Sequence, residues 1–143
     1  MRKELEDKLY ENHPKIFRQR DLSPRETCMC WGISCGDGWY WLLDSLCSRL
    51  QNLTEEENKP QIEVTQVKQK FGGLRFYITC GDDVVYNIID FAEYLSYSIC
   101  EECGSMKNVH LTKEYWIQSL CEECHDKKHK TCRFCNCKSG KSS

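Results

Sequence analysis

Two short stretches, Cys100-Glu101-Glu102-Cys103-Gly104 and Cys121-Glu122-Glu123-Cys124, decide how the C-terminal part of this chain folds. Each contains a C-x-x-C knuckle, a turn whose two sulfurs point to one place about 2.3 Å from a metal ion. Glycine after the first knuckle lets the backbone turn tightly beneath it. Seventeen residues separate the two knuckles, a spacing typical of structural zinc sites.

The doubled knuckle predicts one zinc ion, held by Cys100, Cys103, Cys121 and Cys124 in a zinc ribbon at residues 100–126. Residues 115–120, which read Tyr-Trp-Ile-Gln-Ser-Leu, suit the hairpin of such a ribbon. A redox pair or free thiols are the alternative, although a doubled knuckle is not a redox pattern. Because four thiolates close the coordination shell, we expect this zinc to be structural and not catalytic.

Eight further cysteines raise the question of additional metal ions. A pattern H-x-x-C-x-x-C-x-C near the C-terminus offers a second zinc site, formed by His129, Cys132, Cys135 and Cys137, with His125 as an alternative ligand. The other interpretation is a flexible, basic, reduced tail at residues 127–143. A third set comprises Cys28, Cys30, Cys35 and Cys47. These are metal ligands or buried thiols, and burial is the common fate of a cysteine inside an apolar helix.

Residues 1–99 predict an α+β core in which two main helices pack on a β-hairpin, ahead of the ribbon and the tail. A short amphipathic segment at 3–17 is interrupted by Pro14. The first main helix has an apolar face at helical spacing, made of Trp39, Leu42, Leu43, Leu46, Leu50 and Leu53. Asp37 is a candidate cap for that helix, and Asp82 or Asp83 for the second main helix, which runs toward Ile99.

The hairpin is indicated by alternating apolar residues within 62–79 and by Gly72-Gly73 between its strands. Basic and aromatic side chains mix here, and the alternation points Arg75 and Tyr77 outward. Such a face contacts phosphates and bases in some proteins. Lys68, Lys70, Arg75 and the basic tail therefore support a nucleic-acid-binding regulator as an alternative function. An ordinary hairpin with a charged outer face is the simpler interpretation.

Composition limits the classes of protein to which the chain can belong. Hydrophobic residues make up 40%, enough for a core without disulfides, and the net charge of -2 gives no overall attraction to nucleic acid or membrane. No stretch approaches the roughly 18 apolar residues of a membrane helix, and the first residues lack the apolar segment of a secretory signal. We therefore expect a reducing cytoplasm, where cysteines are thiols or metal ligands.

Part of the zinc segment resembles the treble-clef HNH nucleases. The shared residues are Cys100-x-x-Cys103-Gly104, His110, Cys121-x-x-Cys124-His125 and His129. The resemblance implies His110 as general base and His129 as ligand of a catalytic metal. It is incomplete, because Val109 stands where that family usually carries His or Asp, and the family's Asn-bearing turn is missing. A degenerate HNH-like nuclease is thus one alternative, beside a ribbon with unrelated histidines.

A broader resemblance covers roughly residues 1–125. It rests on Cys35-Gly-Asp-Gly-Trp-Tyr40, on Gln66-Val-Lys-Gln-Lys-Phe-Gly-Gly-Leu-Arg-Phe-Tyr77, and on the two knuckles with Trp116-Ile-Gln-Ser-Leu before the second. Together these segments resemble a group of small zinc-ribbon proteins encoded by bacteriophages, prophages and many bacteria. The resemblance implies an accessory protein in the bacterial cytoplasm and brings no activity with it. The cysteine-rich tail departs from the pattern of that group.

These observations lead to one principal hypothesis about function. The chain has no Ser/His/Asp or H-E-x-x-H pattern and no phosphate-binding loop, but many aromatic residues for its length. We therefore expect a zinc-stabilised phage accessory protein that binds a host protein and inhibits or redirects it, including a host defence factor. The candidate contact residues are Trp39, Trp41, Arg75, Tyr77 and Trp116. Trp41 is the strongest candidate, because it lies off the leucine face of its helix.

Overall fold

The computed structural model describes residues 1–131, and within them the chain has an α+β fold with four α-helices and two small sheets. The helices are α1 (Lys3–Asn12), α2 (Tyr40–Glu56), α3 (Asp83–Ser96) and α4 (Glu122–Thr131). One sheet contains β1 (Ile33–Ser34), β2 (Val64–Lys70) and β3 (Gly73–Ile78), and the other contains β4 (Val109–Leu111) and β5 (Ser119–Cys121). Among these residues no helix has the length and apolar character needed to cross a membrane.

Helix α2 supplies the longest buried face of the core. All of its predicted apolar positions except the half-buried Leu42 are buried. They are Leu43, Leu46, Leu50 and Leu53, with Trp39 just ahead of the helix. Each such side chain contributes about 1.5–3 kcal/mol to folding when removed from water. Helix α2 contacts both α1 and α3, so this face organises the whole core.

The helix ends follow the expected chemistry in two cases of three. Helix α1 stops at Asn12, ahead of Pro14, because proline cannot continue the hydrogen-bond ladder. Helix α3 begins after Asp82, whose carboxylate accepts a hydrogen bond from the Val85 N–H at 3.0 Å. Asp37 does not cap α2; it accepts from the backbone N–H of Arg2 at 2.7 Å and pairs with the Arg2 guanidinium at 2.5 Å.

The predicted hairpin is present as β2 and β3, joined by a tight turn. The turn residues are Phe71 and Gly72, both with positive φ (53° and 84°), while Gly73 already belongs to β3. Positive φ at both turn residues matches the right-handed twist of the strands. A strand that was not predicted, β1, pairs parallel to β2. It has two residues, too few to show a period in the sequence.

Side chains of α3 cover the outer edge of β3. The Leu74 N–H donates to Ser96 Oγ at 2.9 Å, and the Phe76 N–H donates to Glu93 Oε1, also at 2.9 Å. An uncovered strand edge would leave such N–H groups ready to pair with another chain. Helix α3 therefore closes this edge of the sheet and holds β3 in place.

Candidate metal centre

The four knuckle cysteines lie where three elements meet. Cys100 and Cys103 form a turn soon after α3, Cys121 ends β5, and Cys124 lies in the first turn of α4. Strands β4 and β5 form the hairpin expected between the knuckles, with Val109 opposite Cys121. The second knuckle, however, is a strand-to-helix junction and not a hairpin turn. The helix continues to Thr131, so the predicted start of the tail at residue 127 falls inside it.

The geometry of the four sulfurs suits a metal ion. All lie within 4.8 Å of one another, and Cys103 Sγ is 3.7 Å from Cys121 Sγ. Sulfurs placed tetrahedrally about 2.3 Å from zinc are about 3.8 Å apart. Gly104 has a φ of +80°, as expected for the tight turn under the first knuckle. The cluster can thus hold a metal ion, and its dimensions are compatible with zinc.

Backbone amides favour a thiolate in this cluster. Burial opposes ionisation of Cys100, but N–H groups of Cys121, Cys103 and Glu102 outweigh it and lower the pKa of the thiol. The pKa of Cys124 is raised, first by burial and then by its contacts with the other cysteines. Several thiolates in so small a space repel one another. A cation at their centre removes that conflict, because the thiolate is the form that binds metal.

The segment before α2 holds the first knuckle against the core. The Gly36 N–H donates to Glu101 Oε1 at 3.0 Å, and the Gly38 N–H donates to the Glu101 carbonyl at 2.7 Å. A Cβ atom on Gly38 would lie 2.0 Å from the Cys100 carbonyl oxygen. The two backbones therefore meet at a distance that only glycine permits. The Trp39 indole N–H adds a bond to the Ile99 carbonyl at 2.9 Å.

The β2–β3 turn contacts residues 111–119, which belong to the same C-terminal unit, residues 100–131, as the two knuckles. Ser119 Oγ donates to the Gly72 carbonyl at 2.7 Å, and Gln69 Nε2 donates to the Ile117 carbonyl at 2.6 Å. A Cβ atom on Gly72 would lie 2.3 Å from a methyl group of Leu111. The segment before α2 and the β2–β3 turn thus both contact residues 100–121 and hold this part of the chain against the core.

The third cysteine set is not assembled in the structure. Within residues 1–131, only two groups of potential metal ligands come together, and neither contains a cysteine of this set. Cys28 is exposed, Cys30 is half-buried, and Cys35 and Cys47 are buried in the core. Burial, and then the charge of Glu101, raises the pKa of Cys35 to about 12. Of the two alternatives that the sequence left open, the structure favours buried thiols for Cys35 and Cys47, and Cys47 faces the core from the middle of α2.

The second cysteine set cannot be followed as a set, because Cys132, Cys135 and Cys137 lie outside the described residues. Its histidine, His129, lies instead beside His125 and Glu114, the second group of potential ligands. Glu114 was not among the predicted site residues. The only signal in the sequence was the spacing of the two histidines, which share a face of α4. His110 lies close by, with its ring centroid 5.2 Å from that of His125.

The predicted contact residues separate into buried and exposed ones. Trp39 is fully buried, so its assignment to a contact surface was wrong: its ring fills the core ahead of α2. Trp41, Trp116 and Tyr77 are exposed, by 74%, 65% and 43% respectively. Arg75 is half-buried and turned toward its own fold, donating to the Leu74 carbonyl at 2.8 Å and to the Tyr97 hydroxyl at 3.3 Å.

The basic side chains of the hairpin lie mostly against aromatic rings of the same hairpin. Lys68 Nζ is 5.9 Å from the centre of the Tyr77 ring, and Lys70 Nζ is 5.6 Å from that of Phe71. These are cation–π distances. Lys68, Lys70 and Arg75 thus each lie against a ring or a polar group of the protein itself.

A hollow of about 480 Å³ adjoins the first knuckle, and Trp41 stands at its side. Its lining includes Leu5, Trp41, Cys103, Gly104 and Met106, with Arg2, Asp37 and Glu102 among the charged neighbours.

Comparison with models of protein families, with curated proteins and with solved structures finds no match.

Proposed function

We propose that this chain is a zinc-stabilised accessory protein of phage origin that binds a host protein through the surface around Trp41. Binding would inhibit or redirect that host protein, a defence factor among the candidates, in the bacterial cytoplasm. The observation that carries the proposal is the 74% exposure of Trp41 at a hollow that Cys103 of the four-cysteine cluster also lines. Tryptophan is among the residues that contribute most to protein–protein affinity.

The exposure of Trp41 follows from its place on α2. The neighbouring positions of the helix bury their leucines, whereas Trp41 points away from them and rests edge-on against Tyr40, with the ring centroids 5.4 Å apart. The packing of α2 does not require a large apolar side chain at this exposed position. A ring that gains little by folding gains most by binding, because its apolar area is still available for burial.

The hollow beside Trp41 has the composition of a binding surface. Met106 is 65% exposed and adds a flexible apolar side chain, while Arg2, Asp37 and Glu102 bring charges. Apolar centres with polar rims are characteristic of protein interfaces. Because Cys103 and Gly104 form part of the wall, a metal ion in the cluster would hold this wall in place. A rigid surface loses less entropy on binding than a flexible one.

The assignment to phage and host rests on the resemblance of residues 1–125, and the mode of action rests on the site. A closed four-thiolate shell has no open coordination position, so the zinc would stabilise the surface and take no part in chemistry. This leaves recognition of a partner as the role supported by the Trp41 surface.

The test compares two tryptophans of similar exposure. Trp41→Ala is measured against Trp31→Ala, since Trp31 is 72% exposed and does not line the hollow. Tagged proteins capture partners from host cells, the captured proteins are identified by mass spectrometry, and the affinity for the purified partner is then measured. We expect Trp41→Ala to weaken binding by at least about thirtyfold, near 2 kcal/mol, and Trp31→Ala to leave it unchanged. Equal partner capture by both variants would reject the surface.

A further inference from the structure

We propose that Glu114, His125 and His129 form a second metal site, separate from the four-cysteine cluster, for a divalent transition-metal ion of the zinc class. His129 Nε2 lies 2.8 Å from His125 Nε2. Glu114 Oε1 lies 3.0 Å from His125 Nε2 and 2.8 Å from His129 Nε2. Three ligand atoms therefore stand at the corners of a nearly equilateral triangle. The proposal does not depend on the function proposed above.

The size of this triangle suits a metal ion. Zinc binds imidazole nitrogen and carboxylate oxygen at about 2.0–2.2 Å. An ion about 2.1 Å from all three atoms would lie about 1.3 Å above their plane, with ligand–metal–ligand angles of about 86°. These angles suit three ligands on one face of an octahedron, and a tetrahedral ion would require the three atoms to separate to about 3.4 Å. Two imidazoles with one carboxylate are also a ligand set that zinc and related ions favour.

Hydrogen bonding alone does not explain the three contacts. A ring nitrogen carries either a hydrogen or a lone pair, never both. If both Nε2 atoms carry hydrogens and donate to Glu114, the two donors face each other at 2.8 Å. If one lacks a hydrogen, its contact with the carboxylate joins two lone pairs, unless Glu114 is protonated. A cation at the centre satisfies all three lone pairs together.

The local structure presents the three ligands to one another. His125 and His129 are four residues apart on α4, so they lie on the same face of the helix. Glu114 belongs to the loop between β4 and β5. Thr112 closes that loop, since its N–H donates to the Gln118 carbonyl and its Oγ1 accepts from the Gln118 N–H, both at 2.9 Å. A metal ion here would fasten the loop to α4.

The proposed site has an open side. A pocket of about 260 Å³ borders it, lined by the three ligands together with Thr112, Trp116 and Leu120. Within residues 1–131 three protein ligands come together here, and three ligands alone would leave at least one coordination position for a further ligand, unlike the closed shell of the cysteines. His110 packs edge-on against His125 and restricts the orientation of its ring. The described residues thus offer one site with a closed shell and a second that is open on one side.

The test is a metal titration of protein in which the tail cysteines are replaced, Cys132→Ser, Cys135→Ser and Cys137→Ser, so that they cannot serve as ligands. After one equivalent of zinc has filled the four-cysteine cluster, binding of a second equivalent is measured by calorimetry and native mass spectrometry. We expect the protein with the three tail cysteines replaced, here called the parent, to bind a second zinc ion. In the same background, His129→Ala and Glu114→Gln should lower the affinity for this second ion by more than about 100-fold. Glu123→Gln makes the same chemical change on an exposed residue of α4 and should bind as the parent does.

Cobalt distinguishes the two sites by their ligands. The first equivalent of Co²⁺ should show intense thiolate-to-cobalt charge transfer, whereas the second should add only weak absorption from nitrogen and oxygen ligation. Retention of the first equivalent in each variant shows that the variant is folded. The proposal fails if the parent binds a single ion. It fails equally if the second ion persists unchanged in His129→Ala, or if the second equivalent adds thiolate charge transfer.

Discussion

The backbone N–H of Gly38 donates a hydrogen bond of 2.7 Å to the carbonyl oxygen of Glu101, and this bond joins the start of α2 to the first cysteine knuckle. The contact is between backbones, with no side chain intervening. It joins a glycine-rich segment to a knuckle that lies far along the chain. The C-terminal unit, residues 100–131, therefore packs closely against the core.

Replacing Gly38 with alanine should destabilise the protein strongly. The new methyl group would lie 2.0 Å from the Cys100 carbonyl, so the knuckle must move away from the core. We expect the free energy of unfolding to fall by about 3 kcal/mol, the upper range for overpacking. Chemical denaturation of metal-loaded protein measures this, with Ser45→Ala, an exposed change on α2, as control. A loss no greater than that of the control would mean that the interface is loose.

The same substitution should lower the stability of the protein far more at Trp39 than at Trp41, although the two residues are only two positions apart. Trp39→Phe removes the indole donor and leaves the Ile99 carbonyl unpaired, at a cost of about 1–3 kcal/mol in stability. Trp41→Phe changes an exposed ring and should alter stability by less than about 0.5 kcal/mol. Thermal unfolding of both variants tests the pair. Similar losses in the two would contradict the burial assigned to them.

Elements with a repeating local signal were predictable from the sequence. The leucines of α2, the alternation in β3 and the Asp82 cap of α3 each depend on a few neighbouring residues, and the structure confirms them. The four-cysteine cluster was predictable for the same reason, because each C-x-x-C turn fixes its own pair of sulfurs.

Features that depend on distant parts of the chain were not predictable. Glu114 reaches the histidines of α4 only through the pairing of β4 with β5 and the loop between them, which no local pattern reveals. Trp39 lay on the apolar face of its helix and was also assigned to a contact surface, since abundance of aromatic residues does not tell which are buried. For Cys47 the sequence left metal ligation and burial open, and only the packing of α2 shows that the thiol is turned inward.

Cysteine alkylation at about pH 8 should divide the thiols by environment. The exposed Cys28 and Cys80 should react quickly with iodoacetamide. Cys35 should resist, because burial raises its pKa from 9.0 to about 12 and leaves about a thousandfold less of the reactive thiolate. Buried Cys47 should resist as well. Peptide mass spectrometry before and after denaturation reports each site, and rapid native labelling of Cys35 would contradict the fold of the β1 region.

The knuckle cysteines provide the comparison within the same experiment. Cys103 is exposed, so burial alone would not protect it. If a metal ion occupies the cluster, its labelling should be slow and should accelerate on addition of a strong chelator, whereas labelling of Cys80 should not change. Equal rates with and without chelator would argue against an occupied site.

Metal removal should unfold the C-terminal unit while the core persists. Among the residues that the structure describes, the buried cluster of the unit contains Cys100, Leu120 and Cys121, with Val109 and Cys124 partly buried against it. The core has its own, much larger cluster around α2. A cluster as small as that of the unit rarely sustains a fold without a metal or disulfide. Binding of structural zinc contributes on the order of 10 kcal/mol to such units. We therefore expect hydrogen exchange at residues 100–131 to rise sharply after chelation, and exchange in α2 and β2–β3 to change much less.

Cys103→Ser should reproduce the effect of the chelator without any added reagent, and Cys80→Ser, an exposed cysteine outside the cluster, is the matched control. The contacts of Gly38 and Gly72 also hold the unit, so the experiment separates packing from metal binding. Protection at 100–131 that survives complete metal removal would show that docking on the core is sufficient. Exchange that rises throughout the chain would show instead that the core depends on the metal, because the two parts then unfold as one cooperative unit.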